Sequence, residues 1–365
     1  MRNKDDCDTP ALLLDLDKME KNSKRMSRFA RDRGVALRPH AKTHKVPEIA
    51  KIQLQDGARG ICLQKVSEAE VFADYGFDDI FVTNEIVGKT KTDKLARLAD
   101  KIHLAVAVDN PANISELSRS CAEVGSELSV FVDIDVGLQR CGIPARDAPK
   151  LAAQISKEKN LVFKGVMGYD GHVGSGKTKD EREKLSARAM DEIVLAKKEI
   201  KKTGLEVEVT SVGGSVSTWL DAKNPEVTEV QPGMYLFNAI NLVEAEVATW
   251  DECALTVLST VMSRPTEDRA IIDAGSKAFH FDNCRFPRIV GYEEDGGAEI
   301  YHFSEEHGNV SLKSASARKA FQLGDKVEAI PYHCCTCINQ HDEMIALRNG
   351  KVENVWKVAA RGMMK

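Results

Sequence analysis

Three stretches of the chain gather side chains able to do chemistry. The first is RPHAKTHK, residues 38–45, where His40, Lys42, His44 and Lys45 crowd behind a short apolar run. A lysine amine beside a phosphate site is the arrangement that condenses with the carbonyl of a phosphate-bearing cofactor to give a Schiff base. The phosphate site has its own candidates. SVGGS (211–215) and QPGMY (231–235) place Gly213, Gly214 and Gly233 where backbone amides can approach an anion closely. Taken singly, these glycines need make nothing but tight turns, and Lys42 need be nothing but a solvated charge. Their joint placement argues for a cofactor.

The second stretch, GHVGSGKT (171–178), fits the phosphate-loop pattern GxxxxGK followed by Ser or Thr, letter for letter. That alternative makes the protein a nucleotide hydrolase, with Lys177 on the phosphates and Thr178 on magnesium. Against it, the motif follows the sixth strand of an ongoing alternation, and the acidic partner run AIID (270–273) lies far away in a β-rich region. The third stretch is IPYHCCTCINQHDE (330–343). Read as a strand, it points His333, Cys335 and Cys337 one way and Cys334 the other. An imidazole and a thiolate on one face hold a soft divalent ion, zinc above all, with His341 and Asp342 as candidates for further ligands. A buried strand with small thiols and one hydrogen-bonded histidine is the equal alternative.

The elements that must position these groups follow from pattern. Between residues 23 and 245, short β-branched runs alternate with amphipathic stretches. The runs are 35–41, 59–64, 79–84, 102–108, 127–135, 161–169, 207–212 and 227–230. Eight β/α units predict a (β/α)8 barrel, with a doubly wound open sheet as the alternative. After residue 250 the helices fade and the pattern predicts a mainly β domain, including a hairpin at LRNGKV with Asn-Gly in its turn. The opening TPALLLDLD reads as a strand of that domain. The expected division is therefore 23–245 for the barrel and 1–22 with 246–365 for the β domain. In a barrel, reactive groups sit at the C-terminal strand ends. That rule selects His40, Lys42, His44 and Lys45, then Gln64, Asn84, Asp109, Asp133, Asp135, Arg140, Tyr169, Asp170 and His172. It also puts both glycine loops after strands seven and eight, the usual phosphate position.

Composition bounds the function. A net charge of -5 with mixed signs predicts neither a nucleic-acid nor a membrane partner. The polar start MRNKDDCDTP has no apolar signal core, so a cytoplasmic protein is expected. Nine cysteines form no secreted disulfide pattern. Cys7, Cys62, Cys121, Cys141, Cys253 and Cys284 are expected to be buried or idle thiols.

These motifs, with DTPALLLDLD, GICLQKVSEAEVF, DIDVGLQRCG, GYDGH, VGGSVSTW, VQPGMYLFN and IIDAGSKA, resemble the fold-type III pyridoxal-phosphate enzymes. The likeness is to the group of D-threonine aldolases and D-serine dehydratases, and it runs over nearly the whole chain. It implies an alanine-racemase-like barrel carrying pyridoxal 5'-phosphate, a β domain, and a homodimer with the site at the subunit interface. It assigns the Schiff base to Lys42 and not to Lys45. It places Arg140 at the cofactor's phenolic oxygen, Tyr169 on or beside the ring, and Gln64 pointing into the site. Ser211, Gly213, Gly214, Ser215, Gly233 and Met234 become the phosphate cradle. Gln231 stands where racemases place an arginine at the pyridine nitrogen. A neutral amide cannot keep that nitrogen unprotonated as a cation would, which argues against racemase chemistry.

The same resemblance makes His333 and Cys335 the metal pair, with zinc favoured and manganese the alternative. The His-x-Cys spelling is that of the dehydratases. Ser175 stands where the aldolases carry a histidine base, and His172 close by is the substitute. GICLQKVSEAEVF, NEIVG and AARG are aldolase-like. The implied function is a lyase on D-3-hydroxy amino acids, chiefly aldol cleavage to glycine and an aldehyde. Lys42, Tyr169 and His172 are its catalytic candidates. Ammonia-releasing dehydration of D-serine or D-3-hydroxyaspartate is the alternative. A racemase, a non-catalytic cofactor carrier and a nucleotide hydrolase stand behind both.

Overall fold

The eight β-branched runs become eight parallel strands in a computed structural model that describes residues 3–281 and 284–365. In chain order the barrel strands are β2 (Ala36–Leu37), β3 (Ile61–Leu63), β4 (Asp79–Glu85), β5 (His103–Val108), β6 (Leu128–Asp133), β7 (Leu161–Gly168), β8 (Val209–Val212) and β9 (Glu229–Val230). They pair in the order β2-β9-β8-β7-β6-β5-β4-β3. The ends of that path meet through a parallel bridge between His40 and Cys62, with Cys62 N–H donating to Pro39 O at 2.8 Å. Arg59 N–H donates to Leu37 O at 2.9 Å beside it. Cys62, Phe81, Ala107, Phe131, Met167 and Val209, from six successive strands, share one apolar cluster. Side chains from six strands meet only on the concave side of a closed sheet, so this is a filled barrel and not an open one.

One end of the barrel carries a buried ion pair. Arg38 reaches Glu229 at 2.9 Å and Asp79 at 2.6 Å, and the first two side chains are almost fully covered. Removing one partner of such a pair leaves a bare buried charge, a loss of roughly 3–5 kcal/mol. Gly60 makes the room: a Cβ there would lie 2.5 Å from Arg38 Nη1 and 2.6 Å from Asp79 O.

The helices obey local rules. The helix Pro111–Val124 has Asn110 accepting from Ala112 N–H, proline in its first turn and Gly125 at φ +81° behind it. The helix Lys179–Lys201 buries Arg182, Ser186, Ala189, Met190, Ile193, Ala196, Lys197 and Ile200, a 3.6-residue stripe.

Among the described residues, the β-rich part forms one nine-stranded sheet whose main path includes β1 (Ala11–Asp15) and β10 (Leu255–Thr266). β1 pairs antiparallel with β10 and parallel with Glu343–Arg348, so TPALLLDLD joins the β sheet as expected. The hairpin Glu343–Arg348/Lys351–Lys357 turns at Asn349 and Gly350, φ +51° and +73°, the backbone that selected Asn-Gly. The chain folds as two units. One comprises Met1–Lys24, Thr43–Val46 and Met234–Arg361, and the other Arg25–Lys42, Pro47–Gly233 and Gly362–Lys365. Among the described residues, no helix is long and apolar enough to cross a membrane. The isolated cysteines are buried except Cys141, half-buried, and Cys284, which is exposed.

Candidate active site

Lys42 lies in the short turn Ala41–Thr43 beyond β2. Its Nζ donates to Gln64 Oε1 at 3.2 Å. Gln64 is fixed from both sides: its Nε2 donates to Thr83 O at 3.0 Å, and its backbone N–H donates to Glu68 Oε2 at 2.9 Å. The amide is thereby oriented with oxygen toward Lys42. His40 Nε2 meets the same oxygen at 3.0 Å and Thr83 Oγ1 at 3.0 Å. The Tyr169 ring centre is 5.7 Å from Lys42 Nζ and 4.9 Å from the Arg140 guanidinium carbon. Thus Lys42, Gln64, Arg140 and Tyr169 come together around one aromatic surface. Thr83 belongs to the same group, and only its place at the end of β4 would have marked it in the sequence.

The loop carrying Arg140 is braced by acids. Asp135 Oδ1 accepts from Gly137 N–H at 2.9 Å and Gln139 N–H at 3.0 Å, and Asp109 Oδ2 accepts from Gly142 N–H at 3.2 Å. Glu85, Asp109 and Cys141 have ligand-type atoms within 4.8 Å of one another. Burial, and then Glu85, push the Cys141 thiol up to about 11, so it stays protonated and a poor ligand. His172 packs against this loop. A Cβ on Gly137 would lie 3.3 Å from His172 Nε2, and His172 Nδ1 is buried with no hydrogen-bond partner.

The two glycine loops are joined where Gly233 N–H donates to Ser215 Oγ at 3.2 Å. Gly213 has φ +100°, and a Cβ there would lie 3.0 Å from Thr218 Oγ1. A Cβ on Gly214 would lie 3.3 Å from Tyr169 Cε2. The shelf is therefore a space that side chains would fill. Two expected roles change. Gly214 N–H is taken by Ser217 Oγ at 3.0 Å, so its use is room and not donation. Ser211 is fully buried in β8, donates to Glu229 Oε1 at 2.6 Å and accepts from Gln231 Nε2 at 2.6 Å. Strand alternation turns its hydroxyl inward, where it serves the barrel network and not an anion. Met234 opens the turn Met234–Leu236 directly after Gly233.

That network orients Gln231. Glu229 is paired with Arg38, so its carboxylate only accepts. Ser211 must then give it the hydroxyl proton and accept from the amide of Gln231. The carbonyl oxygen of Gln231 is left as the group it can present. A half-buried lysine, an aromatic face, an arginine and a glycine shelf fit a phosphate-bearing pyridine cofactor.

The stretch at 330–343 is not a strand throughout. The strand Lys326–Ile330 ends, His333 is extended, and Cys334–Ile338 is a short helix. Cys334, Cys337 and Ile338, at i, i+3 and i+4, form its buried face. Cys337 therefore leaves the His333 and Cys335 side. Its Sγ lies 3.4 Å from Ala278 O, and burial pushes its thiol up. His341 Nε2 bonds Ala278 O at 2.8 Å, and the exposed Asp342 pairs with Arg361 at 2.5 Å. Cys335 is different. A hydrogen bond from Cys334 holds its thiol well below the usual range, aided by His333 and by Thr43, whose Oγ1 is 3.5 Å away, against opposing burial. A thiol whose ionised form is favoured, beside an imidazole, is a donor pair for a soft divalent metal.

Known proteins place this geometry. The alanine racemase N-terminal domain model matches residues 14–240 and the putative serine dehydratase domain model residues 254–347. The chain belongs to the fold-type III pyridoxal-phosphate enzymes, in the group of D-threonine aldolases and D-serine dehydratases. Within that group it is 38% identical to a D-threonine aldolase of an Arthrobacter species, over 98% of this chain and 94% of that one. It is 37% identical to a 3-hydroxy-D-aspartate aldolase of Paracoccus denitrificans, over 97% and 92%. The crystal structure of D-threonine aldolase from Filomicrobium marinum superposes with TM-score 0.95 at 36% identity, covering 100% of this chain and 98% of that one. A cysteine-to-alanine variant of D-threo-3-hydroxyaspartate dehydratase in its metal-free form superposes at 0.89 with 26% identity, covering 98% and 99%.

Proposed function

We propose that the protein is a pyridoxal-phosphate- and metal-dependent lyase that cleaves D-3-hydroxy amino acids, D-threonine among them, to glycine and an aldehyde. The observation that carries this reading is Lys42, held at Gln64 and against Tyr169 at the end of the first barrel strand, in a chain whose aldolase relatives match it along nearly its whole length. Lys42 would hold the cofactor covalently. Arg140 and Tyr169 would orient its ring, and Gly213, Gly214, Ser215, Gly233 and Met234 would surround its phosphate. When bound, pyridoxal phosphate supplies an electron sink for the pair left on Cα. Gln231 presents an acceptor oxygen, which suits a protonated pyridine nitrogen. His172, from the Tyr169 loop, is the base for the β-hydroxyl proton.

The β-rich unit would contribute His333 and Cys335 as metal ligands. Zinc is the ion that a thiolate and an imidazole favour, with manganese the alternative. Such an ion lowers the pKa of a hydroxyl it binds. The unit boundaries that serve this scheme are 23–245 for the cofactor barrel and 1–22 with 246–365 for the metal-bearing β domain. We also infer a homodimer with the site at the subunit interface, from the family resemblance. Nine unpaired cysteines suit a reducing cytoplasm.

The His-x-Cys spelling favours dehydration as the second reading. D-Threonine separates the two. Glycine with acetaldehyde supports the aldolase, and 2-oxobutanoate with ammonia overturns it. Chelation is expected to abolish turnover while visible cofactor absorbance persists, and Cys335→Ala should do the same. Full activity of demonstrably metal-free protein would remove the metal from the chemistry.

A further inference from the structure

Beneath the glycine shelf two carboxyl groups are sealed from water. Asp170 and Asp221 are each 0% exposed. Asp170 Oδ1 accepts from Ser217 Oγ at 2.6 Å, and Asp221 Oδ1 accepts from Ser186 Oγ at 2.7 Å. The second oxygen of each, Oδ2, is buried with no ordinary donor. Two ionised carboxylates cannot share a dry site, because neither has a proton to offer the other. Burial raises the pKa of both groups. Asp221 goes well above the ordinary range, pushed further by the charge on Asp170, while Ser217 and then Asp221 itself hold Asp170 lower by hydrogen bonding.

The pair sits where two parts of the proposed cofactor site meet. Asp170 directly follows Tyr169, and its C=O accepts from Val173 N–H at 2.9 Å, setting the turn that carries His172. Ser217, which donates to Asp170, accepts from Gly214 N–H. Asp221 Oδ2 would stand 3.3 Å from a Cβ on Gly213. One continuous path thus runs from the Gly213–Gly214 shelf through Ser217, Asp170 and Asp221 to Ser186 on the helix Lys179–Lys201.

We propose that Asp170 and Asp221 share one proton as an O–H···O⁻ clamp that locks the 213–215 shelf to the Tyr169 turn, making both aspartates positioning residues for phosphate binding. The inference rests on the reading of that shelf as the phosphate site. Asp221→Asn supplies an N–H in place of the shared O–H and keeps the clamp. Asp221→Ala leaves Oδ2 of the Asp170 carboxylate buried without a donor, a loss that should loosen the shelf.

The test titrates the apoprotein with pyridoxal phosphate and, separately, with pyridoxal, following visible absorbance. Asp221→Asn should stay within about threefold of wild type for both ligands. Asp221→Ala should bind pyridoxal phosphate at least about tenfold more weakly while pyridoxal changes little, so the ratio collapses. Equal losses for both variants, or an unchanged ratio in Asp221→Ala, overturn the proposal. Should the alanine variant not fold, an infrared difference spectrum of wild type against Asp221→Asn decides. A protonated-carboxyl C=O band present only in wild type supports the clamp, and its absence refutes it. Asp133, whose carboxyl is also pushed up by burial and by Glu85, contributes equally to both spectra and cancels. If wild type gave no visible band with pyridoxal phosphate, the cofactor reading would fail, and the infrared band would still report on the clamp.

Discussion

Residues 171–178 and residues 211–215 both leave the end of a barrel strand through glycine, and both lead toward a helix. The first matches a nucleotide-binding motif letter for letter and the second matches none. In the first, the backbone amide of Lys177 and the hydroxyl of Thr178 are already engaged with their own segment. Lys177 N–H donates to Glu181 Oε2 at 2.7 Å, and Thr178 Oγ1 accepts from Glu181 N–H at 3.2 Å. A carboxylate thus occupies the helix start where a phosphate would sit. In the second, Gly213 and Gly214 border Thr218 and the Tyr169 ring, and that ring also faces Lys42 and Arg140. A letter pattern records which residues are small or charged. What occupies or borders the space beside each loop decides whether an anion can enter.

The sharpest break of this comparison uses the two lysines. Lys42→Ala should abolish visible cofactor absorbance, borohydride trapping and turnover. Lys177→Ala should leave all three within about twofold, since surface changes rarely exceed ~0.5 kcal/mol. Lys45, which donates to Asn339 Oδ1 at 2.8 Å, is the internal control: Lys45→Ala should retain the trapped adduct. Adduct on Lys45, or magnesium-dependent ATP binding lost with Lys177, would reverse the assignment.

What the sequence could and could not reveal follows from the same logic of partners. The barrel was legible because β-branched runs of a buried parallel sheet need no partner to be recognised. Lys42, Gln64, Arg140 and Tyr169 were legible because strand ends face one mouth. The burial of Ser211 was not legible, since it depends on Glu229 and Gln231, eighteen and twenty residues on. Cys334–Ile338 was taken for a strand because Cys and Thr have weak helix propensity. The burial of Cys334, Cys337 and Ile338 against the β-rich unit overrode it. Asp170 stood out only as a strand-end residue and Asp221 not at all, for two acids fifty-one residues apart reveal a shared proton only when folded together.

The glycines give a second, smaller break. Gly213→Ala forces a side chain to φ +100°, a strain of roughly 1–3 kcal/mol, and sets a Cβ 3.0 Å from Thr218 Oγ1. Pyridoxal-phosphate affinity should fall by about tenfold or more. Gly176→Ala would crowd Arg182, with a Cβ 2.8 Å from its Cγ. Its expected effect is a lower melting temperature with unchanged cofactor affinity. A Gly176 variant that lost cofactor selectively would join the two loops into one site.

The smallest effect tests the first loop for what the geometry makes it, a helix cap. Thr178 has φ -121° and ψ 161°, outside helical space, while its hydroxyl accepts from Glu181 N–H. Glu181 in turn accepts from Lys177 N–H. The first bond satisfies an amide that the helix Lys179–Lys201 cannot pair internally, and the second ties the residue before the cap to the same turn. Thr178→Ala removes the acceptor and should destabilise the protein by about 1 kcal/mol. Thr178→Ser should restore most of that loss, because only the hydroxyl is needed. Thr178→Val, matched in shape but lacking the hydroxyl, should behave as alanine does. Denaturant melts of the three variants read the stability, and a pyridoxal-phosphate titration of each should superimpose on wild type. Loss of cofactor in Thr178→Ala, with restoration by serine, would instead make this hydroxyl part of the site. The contrast between the two loops would then be one of degree.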